Sequence, residues 1–129
     1  MARSFLLVRM SKDVTDVLSR MGDDKYLPGE GWYGIIIRCN NKLSMLDPEY
    51  RILQIKEKFG TLRYYYHTNT NIYAIKEAMD RYVRQAELES AVTCEVCGNP
   101  GSLLGRRSGW MKTRCLDCSD ANMKKVELF

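Results

Sequence analysis

The stretch RILQIKEKFGTLRYYY, residues 51–66, decides the fold. Leu53, Ile55 and Phe59 alternate with Gln54, Lys56 and Lys58; after Gly60, Leu62, Tyr64 and Tyr66 alternate with Arg63 and Tyr65. Period-two alternation, aromatic enrichment and a central Phe59-Gly60 predict a β-hairpin with one apolar side. Lys56, Lys58 and Arg63 then project from the other side, with Tyr65 beside them. Glu57 falls on the apolar side and is expected to mark a strand end or a bulge.

Helical periodicity flanks this hairpin on both sides. Upstream, Ser11 is a candidate N-cap for a helix carrying Val14, Val17, Leu18 and Met21. Gly22 to Gly31, with Asp23, Asp24 and Pro28, reads as a loop. From Trp32, the residues Ile35, Ile36, Cys39, Leu43 and Leu46 follow the i, i+3, i+4, i+7 rule of an amphipathic helix. The β-branched run Ile35-Ile36-Ile37 also fits a strand, and Pro48 ends the element in either case. Downstream, His67 to Asn71 is polar, and Asn69, Thr70 or Asn71 can cap a long helix reaching Ser90. Ile72, Ile75, Met79, Tyr82, Val83 and Ala86 form its apolar stripe, with Glu77–Arg81 and Asp80–Arg84 as i, i+4 pairs on the wet side.

The C-terminal third carries the chemistry. Cys94 and Cys97 form one C-x2-C pair, Cys115 and Cys118 a second, seventeen residues further on. That spacing is a zinc pattern: two thiolates three positions apart converge on one ion, and two such pairs complete a tetrahedron. Gly98 suits the knuckle turn after the first pair. Asn99-Pro100-Gly101 and Arg107-Ser108-Gly109 turn the chain again, which implies a small hairpin between the pairs. Ser119 to Glu127 is helix-compatible, so a treble-clef-like module is expected; a zinc ribbon, with strands in place of that helix, is the alternative. A pair of disulfides or a redox dithiol is the other reading of the cysteines. The fifth cysteine, Cys39, reads as a small buried hydrophobe.

These elements predict an α+β protein. Residues 1–92 form a helix and hairpin core, with the hairpin at 51–66 and the long helix at 71–90. Residues 93–129 form a module around one structural zinc ion. Four cysteines close the coordination shell, whereas a catalytic zinc keeps an open position. The zinc-deaminase signatures are absent, and the single histidine, His67, lies in a polar loop far from the cysteines. With no triad, phosphate loop or carboxylate pair, the chain reads as non-enzymatic, with no small-molecule substrate evident.

Composition bounds the partners. Of 129 residues, 20 are Lys or Arg and 16 Asp or Glu, a net charge of +4, which is too mild for charge alone to imply nucleic acid. No stretch reaches the roughly 18 apolar residues of a membrane span, and Phe5 to Val8 is too short for a signal peptide. A cytoplasmic location without membrane contact is therefore expected, and in a reducing compartment paired cysteines point to metal.

The strings QIKEKFGTLRYYY (54–66), AELES (86–90), TCEVCGNPG (93–101), GWMKTRC (109–115) and LDC (116–118) carry a resemblance. Together they resemble a family of small bacteriophage and prophage proteins that combine a QIKEKFG-x-LR-aromatic segment with CE-x-CG and W-x-K-T-x-C. The likeness spans about residues 30–118. It implies a phage-type origin, an α/β core and zinc ligation by Cys94, Cys97, Cys115 and Cys118, and it attaches no mechanism.

Two functions follow as expectations. The first is an effector that docks on a host protein machine and modulates or blocks it, with Trp110, Leu103, Leu104 and the tyrosines as candidate anchors. The alternative is a DNA- or RNA-binding regulator that uses Lys56, Lys58, Arg63 and Tyr65 together with Arg106, Arg107, Lys112 and Arg114 of the finger. For Lys112 and Arg114, neutralising the negative charge of a four-thiolate site competes with ligand contact.

Overall fold

The computed structural model describes residues 14–106, 109–119 and 123–126. Helix α1 covers 14–20 and α2 covers Tyr33–Leu46, entered through a 3-10 turn at Glu30–Trp32. Strands β1 (Arg51–Lys58) and β2 (Thr61–His67) form the expected hairpin, and α3 (Tyr73–Ser90) follows. In the C-terminal module β3 (Ser102–Gly105), β4 (Met111–Arg114) and β5 (Lys124–Lys125) form a second antiparallel sheet in the order β4-β3-β5. The candidate cap Ser11 lies outside the described residues.

The helical reading of 33–46 prevails over the strand reading because its apolar stripe finds a core. Ile35, Ile36, Cys39 and Leu43 are buried with Trp32 from the preceding turn, Val17 and Met21 near α1, and Met79, Val83 and Ala86 of α3. The hairpin closes this core with Ile52, Ile55, Leu62 and Tyr64. Ile72 does not join the stripe; it is exposed and stands at the N-cap of α3. No side chain caps that helix, and the Thr70 hydroxyl accepts the Ile72 N–H instead. Among the described residues neither Glu77–Arg81 nor Asp80–Arg84 is an ion pair, and Asp80 accepts the Tyr66 hydroxyl.

The strict alternation predicted for β1 fails at one position. Ile52 pairs with Tyr66 and Gln54 with Tyr65, so the register shifts by one residue at Leu53. This bulge turns Leu53 out to solvent and lets Ile52 and Ile55 both face the core. The bulge therefore falls at Leu53 and not at Glu57, whose side chain is half-buried on the core side. Phe59 is also displaced from the apolar side: it is in the turn, at φ 53, followed by Gly60 at φ 83. Two successive positive φ values are the backbone of a tight two-residue hairpin turn.

Polar groups tie the layers together. The Tyr50 hydroxyl donates to Asn40 Oδ1 and lies 2.7 Å from the Tyr64 hydroxyl. Asn40 Nδ2 donates in turn to Asp16 at 2.7 Å. The outer edge of β2 is covered by α3: Ser90 Oγ accepts the Leu62 N–H at 2.9 Å, and Glu87 accepts the Tyr64 N–H at 3.1 Å. An open sheet edge would otherwise invite pairing with another chain.

Within the described part of Ser119–Glu127, strand β5 stands at Lys124–Lys125 where a terminal helix is expected; residues 120–122 and 127 lie outside the described residues. Lys124 and Lys125 pair with Gly105 and Leu104, and the Val126 N–H donates to Leu103 O at 2.9 Å. Helix-compatible composition lost here to the open edge of β3, whose backbone groups need partners. No described helix is long and apolar enough to cross a membrane.

Candidate metal centre and cationic surface

The two C-x2-C pairs meet because each is held by backbone geometry. At the first, Gly98 has φ 83 and donates its N–H to Cys94 O at 2.9 Å, which closes the knuckle. Cys115 enters a 3-10 turn at Leu116–Cys118, and the Cys118 N–H returns to Cys115 O at 3.2 Å. The β3–β4 hairpin spans the interval and brings the pairs together.

All four sulfurs lie within 4.8 Å of one another, and Cys97 and Cys115 are 3.6 Å apart. Sulfurs of a tetrahedral site with bonds of about 2.3 Å stand about 3.8 Å apart, so the set fits one metal ion. Cys94 is fully buried, Cys97 exposed, and the other two half-buried. Burial alone would raise the Cys94 thiol, but hydrogen bonds from the backbone of Cys115, Cys97 and Val96 outweigh it and bring it down to about 6. Neighbouring sulfur pushes Cys118 the other way, up to about 12, with Cys115 the main cause. Cys39 stands apart: it is buried in the core, and burial pushes its thiol up to about 12.

The cysteine module is fastened to the core by contacts that sequence reading missed. Glu95, between the first two cysteines, is buried; its carboxylate accepts the Gly29 N–H at 3.0 Å and its carbonyl the Gly31 N–H at 2.8 Å. The Trp32 indole donates to Thr93 O at 2.8 Å. A Cβ on Gly31 would lie 2.2 Å from Cys94 O, and one on Gly29 would lie 2.4 Å from Glu95 O. Only glycine lets the two backbones approach this closely. At the hairpin tip, Thr113 donates to Gly60 O at 2.5 Å, and the Lys112 ammonium pairs with Glu57. The legible signal is the string Gly29-Glu30-Gly31-Trp32, which the sequence pattern divides between the end of a loop at Gly31 and the start of a helix at Trp32.

The basic residues divide into two groups. Around Trp110 gather the cationic groups of Arg106 at 4.5 Å, Arg114 at 5.3 Å and Lys112 at 5.8 Å from the ring centre. Lys112 is committed to Glu57, which accounts for it without a cluster charge or a ligand. Arg114 Nη1 donates to the Cys118 carbonyl at 3.5 Å, which brings its charge next to the second cysteine pair. Arg107 lies outside the described residues. Of the other candidate anchors, Leu104 is buried and Leu103 packs towards Gly60.

The second group is on the hairpin. Register puts Arg51, Gln54, Lys56, Lys58, Thr61, Arg63, Tyr65 and His67 on the face turned away from the core. Arg51 was missed by the sequence reading, which took alternation from Leu53 onward. None of these residues is a carboxylate. Among the described residues, Arg51, Lys56, Lys58 and Arg63 form no ion pair, and Arg63 Nε has no hydrogen-bond partner. Lys56 and Arg63 stand directly opposite each other across the strands.

Comparison with known family models, curated proteins and solved structures finds no match for this chain.

Proposed function

We propose that this chain is a non-catalytic zinc protein that binds nucleic acid through the open face of its hairpin. The supporting observation is the charge of that face: Arg51, Lys56, Lys58 and Arg63 with no acidic residue among them. Like charges directly opposite on paired strands destabilise a sheet, and Lys56 facing Arg63 is such a pair. A phosphate between them would turn that repulsion into two charge-assisted hydrogen bonds. An ordinary solvated face intersperses both signs.

Zinc is the metal that four thiolates in this spacing favour, and a filled shell gives it a structural role. Strand β5 in place of a terminal helix favours the zinc-ribbon form over the treble clef. The phage-type resemblance attaches no mechanism; the nucleic-acid reading rests on the charge of the hairpin face, and the site of action is expected to be a cytoplasm. Under this reading Trp110 with Arg106 and Arg114 is a secondary contact.

The test is binding of labelled DNA and RNA across a salt series by the wild type and by Lys56→Ala/Lys58→Ala/Arg63→Ala. Each lost phosphate contact should lower the slope of log affinity against log salt by roughly 0.7–0.9. Unchanged affinity and slope would reject the face. A stoichiometric protein partner that survives nuclease treatment would favour docking on a host protein in its place.

A further inference from the structure

Along the open face the residues follow an order. Arg51 opposite His67 stands at the far end, Tyr65 opposite Gln54 comes next, then Lys56 opposite Arg63 and Lys58 opposite Thr61, and Phe59 forms the tip. Aromatic rings thus bracket a block of cations. Both rings are open to solvent, Tyr65 at 45% and Phe59 at 58%. Each has a lysine beside it: the Lys56 ammonium lies 5.7 Å from the Tyr65 ring centre, and Lys58 lies 5.7 Å from that of Phe59.

Phe59 is the sharper observation. The first position of such a turn favours Asn or Asp, because other L side chains resist φ of 53. The chain holds a large apolar ring in that conformation and gains little burial from it. A turn selected for folding alone would carry an asparagine or aspartate ahead of Gly60, with nothing apolar in the water.

We infer that the hairpin face takes single-stranded nucleic acid, with Phe59 and Tyr65 each stacking a base and Lys56, Lys58 and Arg63 holding the phosphates between. This rests on the nucleic-acid reading above and narrows it. Duplexes hide the faces of their bases, so exposed rings beside cations serve strands whose bases are splayed out. DNA and RNA single strands share this chemistry, and separate oligonucleotides distinguish them.

The experiment measures binding of the metal-loaded full chain to a short oligothymidine, a short oligouridine and a duplex of equal length. Phe59→Asn relieves the turn, so its thermal midpoint should rise while single-strand affinity falls about 5- to 100-fold. Tyr65→Leu should weaken the same complexes without unfolding the sheet. Duplex affinity should be weaker in the wild type and unmoved by either change. Tighter binding of oligouridine or of oligothymidine would identify the natural strand. A Phe59→Asn chain that binds single strands as well as wild type overturns the inference, as does a duplex bound equally well. Binding to no nucleic acid at all overturns the parent reading too, whereas binding without strand preference overturns only this one.

Discussion

The molecule contains two small antiparallel sheets, each with a glycine-assisted turn, and they are stable for different reasons. The β1–β2 hairpin buries Ile52, Ile55, Leu62 and Tyr64 against three helices. Among the described residues, the β3–β4–β5 sheet buries few side chains: Leu104, Thr113 and Met123 near it are buried, while Leu116 is 87% exposed. So thin a layer cannot offset the entropy of ordering its strands. Under the zinc reading, a metal ion held by the four sulfurs supplies what burial does not. Locally similar hairpins therefore depend on different chemistry, and each dependence can be removed separately.

The largest effect should come from the sulfurs. Replacing Cys118 with Ser, or stripping the metal with a chelator, should unfold the C-terminal sheet, since structural zinc contributes on the order of 10 kcal/mol in small modules. Hydrogen exchange should then lose protection at Leu103 to Gly105 and Met111 to Arg114 while Ile52 to Tyr64 keep theirs. Cys39→Ser should leave the metal content unchanged. Loss of protection at both sheets together would show that the comparison is wrong and that the chain is one cooperative unit around the metal.

The hairpin should respond to burial. Leu62→Ala removes a fully buried side chain, and such truncations cost about 2–5 kcal/mol. Denaturant unfolding followed by far-UV circular dichroism would measure it, with metal content in the folded fraction unaffected. A loss under about 1 kcal/mol would mean that the site collapses around the gap, or that Leu62 adds less to the core than its burial implies.

Most of this division was legible from the residues. Alternation from Ile55 to Tyr66, the 3.6-residue stripes and the cysteine spacing each reflect a strong local rule, and all four sulfurs do converge. Beyond the contacts of the Gly29–Trp32 loop, three things escaped because they are settled over long range. The bulge at Leu53 follows from the need to bury Ile52 and Ile55 together, which strict period two cannot express. The strand at Lys124–Lys125 exists because β3 has an edge to pair with; its own residues would equally suit a helix. Glu57 looked like a break in the pattern because its partner, Lys112, is 55 residues away.

The seam between the two regions gives a smaller and more discriminating effect. At Gly31 two backbones meet, and an added Cβ would fall 2.2 Å from Cys94 O and 2.6 Å from Glu95 O. No rotamer change relieves a clash with backbone, so Gly31→Ala must push the loop off the first knuckle. That shift would break the hydrogen bond from Gly31 N–H to Glu95 O and disturb those made by Gly29 and the Trp32 indole. The expected cost is about 1–3 kcal/mol, typical of overpacking. Its signature should be decoupling: the metal stays bound, but the C-terminal sheet opens at lower denaturant than the core. Gly22→Ala is the control, because nothing lies within 4 Å of its added Cβ, and it should move stability by no more than about 0.5 kcal/mol. If Gly31→Ala behaved like Gly22→Ala, the glycine loop would not be what joins the two regions, and the link would rest on the hairpin tip, where Thr113 meets Gly60 and Lys112 meets Glu57.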